Sequence, residues 1–326
     1  MRTPALPVAL ALVAIAVGAV AAQSRIAQDA NGHPDLTGYW TNDSFTPLER
    51  APELGEKEFF TREEAAASLK QRLDRLNGQA KDDIHYDDAL WQAEVYAKQP
   101  NLRTSIVFDP RNGRLPPLTP EAQRRDADRR EAARRKGPAD SAQSRTLGER
   151  CIAWGNVGPP MLPPTYNANF QILQTPDAVV LRHEMMHDSR IIYLDGRPPL
   201  GAGVHLLAGD ARAHWEGDTL VVDTRNFTNE TNFRGSPQTT RQDIFTSDAL
   251  HVVERITPVD ANTMTYRFTV DDPKTWTRSW SGETTFRRWE GPIYEYACHE
   301  GNYGLANILR AARVAEAHSS GTGGSR

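Results

Sequence analysis

Residues 183–187 read His-Glu-Met-Met-His, two histidines four apart with a glutamate after the first, a set able to do metal chemistry. On one helical turn, positions i and i+4 share a face, so His183 and His187 would hold a zinc ion while Glu184 activates its water. On a strand the two rings stand roughly 13 Å apart and cannot share a metal. The flanking Val179, Val180, Ile191, Ile192 and Tyr193 are β-branched or aromatic, and 169–174 reads as a hairpin partner, which favours the strand. The longer zinc-protease pattern also fails, because Arg190 stands where a glycine would follow and no third histidine comes at the expected place. A strand over 178–186 sends His183, Met185 and His187 to one face and Glu184, Met186 and Asp188 to the other. It also gathers acid, base and anion-holding groups in one hairpin. Glu184, His187 and Arg190 are then candidate catalytic residues for general acid/base work on a small organic ligand, with Asp195 and Arg197 as ligand-binding residues. An ion-pair network at a barrel rim is the structural alternative. No cofactor is expected; zinc on His183 and His187 is the alternative, and with it a zinc-dependent hydrolase.

A second dense patch is Tyr294-Glu295-Tyr296-Ala297-Cys298-His299-Glu300-Gly301-Asn302-Tyr303. Read as a strand over 292–298 running into a turn, it places Tyr296, His299 and Glu300 at a barrel mouth as ligand-binding groups. The same text also reads as a disulfide-anchored helix start whose Asn302 is the cap.

These residues need elements to position them. From 167 to 298 the text is strand-like: Met264, Tyr266, Phe268 and Val270 alternate with Thr263, Thr265, Arg267 and Thr269, a period of two with one dry face. Turn signals such as Asp195-Gly196, Glu216-Gly217-Asp218 and Asp260-Ala261-Asn262 separate candidate strands near 169–174, 178–186, 190–194, 219–224, 249–257, 263–270, 276–287 and 292–298. Such an antiparallel meander predicts a mainly β protein, a barrel or strongly curled sheet, because closure removes exposed edges. A sandwich is the rival. Helical additions occupy 59–136: a helix after the Thr61/Glu64 capping box, a short one from Asp87 with Leu90, Trp91 and Val95, then an extended piece over 104–109, and a helix capped by Thr119-Pro120. The last has only alanines as apolar residues and seven basic side chains from Arg124 onward, which predicts a solvated arm, with contact to anionic lipid or an acidic partner as the alternative. A C-terminal helix carries the stripe Leu305, Ile308, Leu309, Ala312, and the Ser/Gly-rich tail 319–326 is expected to be disordered.

Arg2, the apolar run Ala5–Val20 and the small residues up to Ala22 have the layout of a secretory signal peptide over 1–22. One β-rich domain over 23–318 follows, periplasmic or secreted, with no transmembrane segment after cleavage. Export makes the two cysteines, Cys151 and Cys298, candidates for a disulfide. Lys plus Arg total 38 against 42 Asp plus Glu, so no positive field draws nucleic acid. A small organic molecule is the expected partner, and the oligomeric state is open.

Gly38-Tyr39-Trp40, on the first strand after Pro34-Asp35-Leu36-Thr37, resembles the lipocalin G-x-W signature, which implies an eight-stranded ligand-binding barrel. The segments PDLTGYW at 34–40, DGRPP at 195–199, WEGDTLVVDT at 215–224, VDDPKTWTR at 270–278 and YEYACHEGNYG at 294–304 are similar to those of a large group of exported bacterial proteins of unassigned function. That resemblance implies that Glu184 and His187 are kept while His183 varies, against a two-histidine metal grip. It implies no catalytic role.

Overall fold

The computed structural model describes residues 27–44, 46–77, 101–137, 139–153, 158–164, 167–230, 232–233 and 244–321. The signal-peptide expectation and the short helix from Asp87 lie outside them.

The strands are β1 (Gly38–Thr41), β2 (Val107–Asp109), β3 (Asn169–Gln174), β4 (Ala178–His183), β5 (Ser189–Tyr193), β6 (Asp210–Glu216), β7 (Thr219–Arg225), β8 (Asn232–Phe233), β9 (Ile244–Phe245), β10 (His251–Asp260), β11 (Thr263–Asp271) and β12 (Trp280–Arg288). Nine of them close into a barrel in the order β1-β3-β4-β5-β6-β7-β10-β11-β12, with β12 returning to β1 and β2 added outside β12. Directions alternate around an up-and-down ring, so an odd count forces one parallel neighbour pair. Here that is β5 with β6, through the single register pair Tyr193↔Arg212, and the connection over 194–209 supplies the crossover length a parallel contact needs.

The mainly β, closed architecture agrees with the alternation and the turn signals, but the ring has nine strands rather than the eight that the G-x-W resemblance implies. On β11, Met264, Tyr266, Phe268 and Val270 are all buried, each contributing roughly 1.5–3 kcal/mol of apolar burial. Rings fill the bore: Tyr266 stacks on Phe286, Phe170 and Phe268 meet Phe286 and Trp280 edge-on, and Trp280 meets Trp276. Gly282 on β12 makes room for this packing, since a Cβ there would lie 2.4 Å from the Phe268 ring. A ring of this size is commonly filled by its own side chains.

Three expectations change. β6 was not anticipated as a strand. The 276–287 strand starts at Trp280, because the buried Asp272 carboxylate accepts from the Ser247, Lys274 and Thr275 backbone N–H groups and holds a turn. The 292–298 segment forms no strand: β12 is already paired with β11, β1 and β2, leaving no free edge for it.

The helices are α1 (Arg62–Asn77), α2 (Pro120–Lys136) and α3 (Tyr303–Gly321). The Thr61/Glu64 capping box is formed in both directions, and the Thr119 hydroxyl accepts from Ala122 N–H. Between α1 and α2 the extended piece expected over 104–109 carries β2, which pairs with β12. α2 is not a free arm. Ala122 is buried, Arg125 donates to the Phe245 carbonyl and the Thr275 hydroxyl, and Arg129 donates to the Asn229 carbonyl while lying over the Phe245 ring. Long arginine stems and their planar heads dock a helix that has no apolar stripe. α3 continues through 319–321, within the stretch expected to be disordered. No described helix is long and apolar enough to cross a membrane.

Candidate functional site

The five-residue motif is neither helix nor strand. β4 ends at His183, Glu184 has helical backbone angles, and Met185–His187 make one tight 3-10 turn in which Met186 sits at φ 60°, ψ 8° and His187 at φ 43°. This reversal joins β4 to β5, so the alternating faces expected over 184–188 do not exist. His183 keeps the inward phase of Val179 and Leu181 and is buried, whereas His187 is exposed, its Nδ1 2.9 Å from the Tyr296 carbonyl oxygen. The two imidazoles thus lack the shared helical face that a zinc grip requires. Among the described residues no group of three or more His, Cys, Asp or Glu is placed to hold a metal ion.

Glu184 is buried and its carboxylate is occupied. It accepts from Asn167 Nδ2 at 2.5 Å, Asn169 Nδ2 at 3.4 Å and the Tyr294 backbone N–H at 3.2 Å. Met185 and Met186 pack under Tyr296 and Cys298. The motif therefore anchors the segment 289–302, which runs from β12 past β1 to the β4–β5 turn as a strap: Glu184 holds Tyr294, His187 holds Tyr296, and a disulfide joins Cys298 to Cys151 with 5.7 Å between their Cα atoms.

Arg190 points the other way, into the bore. It is 4% exposed and donates from Nη1 and Nη2 to both carboxylate oxygens of Glu254 on β10, at 3.1 and 2.6 Å. The Tyr266 hydroxyl donates to Glu254 Oε1 at 2.8 Å and accepts from Met161 N–H at 2.9 Å. Burial alone would lower the Arg190 pKa, but Glu254 outweighs it and holds it above the ordinary arginine value. Burial, reinforced by Glu254, pushes Tyr266 well above the usual phenol range. Burial first, and then the charge of Arg190, lowers His183 to about 3, so this ring is neutral near pH 7.

Asp195 and Arg197 do not join Glu184 and His187. They follow the far end of β5, about 16 Å along the strand at the usual rise. There they form an exposed ion pair with each other, Arg197 lying 3.8 Å from the Tyr193 ring centre. The hairpin charges expected as one cluster are thus divided among a strap anchor, a bore network and a distant surface pair.

The strap, α3 and residues 145–151 enclose a groove of about 550 Å³ outside the barrel. Tyr296 and Glu300 line it, Leu305 and Ile308 form an apolar wall, and both cysteines lie in it. His299 is exposed and its backbone carbonyl caps Asn302 N–H. The 145–151 wall was missed. Thr146 and Glu149 make a reciprocal capping pair there, and Arg145 pairs with Glu149. Burial would raise the Glu149 pKa, but its hydrogen bonds from Thr146 and Arg145 hold it below the usual glutamate value. The signal was present, since a bond from Cys151 to Cys298 must bring 145–150 beside the Tyr296–Glu300 segment. No protein-family model, no curated protein and no solved structure matches the chain.

Proposed function

We propose that this is an exported protein that holds a small organic molecule in the groove outside its barrel, between the strap, α3 and residues 145–151. The observation that carries the reading is the groove itself: an apolar wall of Leu305 and Ile308 facing polar groups of the disulfide-tied strap, with Tyr296 and Glu300 among its lining residues. Concave sites with a largely apolar lining and a few convergent polar groups are where small ligands bind. The bore offers less support for a ligand, because aromatic rings and the Arg190–Glu254 pair fill it. Export is supported by the N-terminal text and by a disulfide of the kind that oxidising compartments favour. Binding without turnover is the better supported form, since Glu184 is committed to three donors and Arg190 to Glu254.

The test is a small-compound screen by thermal shift, followed by calorimetry on wild type and Gly304→Trp. Gly304 lines the groove, and a Cβ there meets only Asn302 Oδ1 at 3.7 Å, so the indole fills the groove without straining the core. Compounds that stabilise the wild type are expected to lose binding in this variant. Unchanged affinity in Gly304→Trp would overturn the reading.

A further inference from the structure

Charges in the groove are unevenly settled. Arg145 and Glu149 neutralise each other. Arg313, on α3, is turned away to the carbonyls of Ala139 and Asp140 and to Glu316. Glu295 and Glu300 line the groove and form no ion pair among the described residues. The site therefore combines an apolar wall, a tyrosine and two uncompensated carboxylates. A metal ion does not suit it, because no three metal-ligating side chains converge among the described residues. A ligand that matches has an apolar body for Leu305 and Ile308 and a positive head for the carboxylates, with aromatic faces such as that of Tyr296 adding to the attraction for organic cations.

We infer that the groove selects amphipathic organic cations, amines carrying an aromatic or aliphatic body, over neutral or anionic molecules of the same shape. This rests on the groove being the ligand site, and the experiment separates the two. Calorimetry compares phenylbutylamine, phenylbutanol and phenylbutyrate on the disulfide-intact protein, at low and moderate salt. The variants are Glu295→Gln/Glu300→Gln, whose exposed side chains hold nothing else in place, and Gly304→Trp. The amine is expected to bind about tenfold more tightly than the acid, the range that two solvent-touched ion pairs allow. Its advantage should shrink with salt and vanish in the double glutamine variant, and all binding should be lost in Gly304→Trp. Equal binding of alcohol and amine, both lost in Gly304→Trp, would overturn the cation inference and leave the groove standing. Amine binding that survives Gly304→Trp, or no binding by any of the three, would overturn both.

Discussion

Removing Glu254 tests whether the bore network is structural. Glu254→Leu fits an apolar side chain into a slot between Val252 and Ile256 on the inward face of β10, so packing alone predicts a mild effect. Electrostatics predicts otherwise. Arg190, 4% exposed, loses both acceptors of its guanidinium, and Tyr266 loses the oxygen its hydroxyl donates to. Stranding one member of a buried pair costs about 3–5 kcal/mol, and an unsatisfied buried hydroxyl adds roughly 1–3 kcal/mol. Against a total stability of about 5–15 kcal/mol, Glu254→Leu is expected to lie close to unfolding at room temperature. Arg190→Met in the same chain removes the stranded charge and should return most of that loss, leaving the hydroxyl cost. The assay is urea unfolding of both single variants and the double, followed by fluorescence of the buried Trp40, Trp276 and Trp280. The cycle should show coupling of several kcal/mol. A Glu254→Leu protein within about 1 kcal/mol of wild type, or purely additive single effects, would refute the argument.

His183 gives a pH dependence. Its folded pKa of about 3 lies below the ordinary 6.5, so the unfolded chain takes up a proton that the folded state refuses. Stability should be unaffected by this ring above pH 6.5 and fall as pH drops towards about 3, by an amount on the order of 5 kcal/mol at full effect; unfolding across that range should show a shallower slope for His183→Gln. Gly282→Ala should lower stability by about 1–3 kcal/mol through the clash with Phe268, read as a drop in the urea midpoint without a change in slope. Glu184→Leu removes the acceptor of three donors and should cost roughly 1–3 kcal/mol, with faster amide exchange confined to the strap and the 167–169 segment. Reducing the Cys151–Cys298 bond, which spans 147 residues of sequence, should cost up to about 5 kcal/mol and weaken ligand binding in the groove; unchanged binding after reduction would show that the strap holds without it.

Much of the barrel was legible because its signals are local. Alternation on β11 and the turns at Asp195-Gly196, Gly217 and Asn262 depend only on neighbours in sequence. β6 was harder: in Asp-Ala-Arg-Ala-His-Trp-Glu the inward phase is carried by Ala211, Ala213 and Trp215, two of them too small to signal a strand. Tyr294, Tyr296 and Cys298 alternate like a strand, yet pairing is not local, and closure of the ring withholds an edge from them. The reversal at Met186 was hidden for another reason. A left-handed position is normally announced by glycine or asparagine, and here a methionine adopts it while buried beneath Tyr296 and Cys298. The roles of Glu184 and His187 therefore depended on a turn that tertiary packing, not local preference, imposes.

Part of the charge set that resembled a catalytic group makes sense around a weak joint of the barrel. β5 meets β6 in parallel through a single register pair, so that seam has fewer ladder hydrogen bonds than any antiparallel neighbour in the ring. Arg190, on β5, reaches across to Glu254 on β10, beyond β6 and β7, and so ties the two sides of the seam through the bore. At the outer end, Arg212 on β6 donates to the carbonyls of Arg197 and Pro198, and both Arg197 and Arg212 lie against the Tyr193 ring. One buried ion pair and one surface cluster thus supply side-chain bonds where backbone bonds are scarce. Of the charges that suggested acid/base chemistry, Arg190 and Arg197 thus serve the seam of an odd-stranded ring, while Glu184 and His187 hold the strap through Tyr294 and Tyr296.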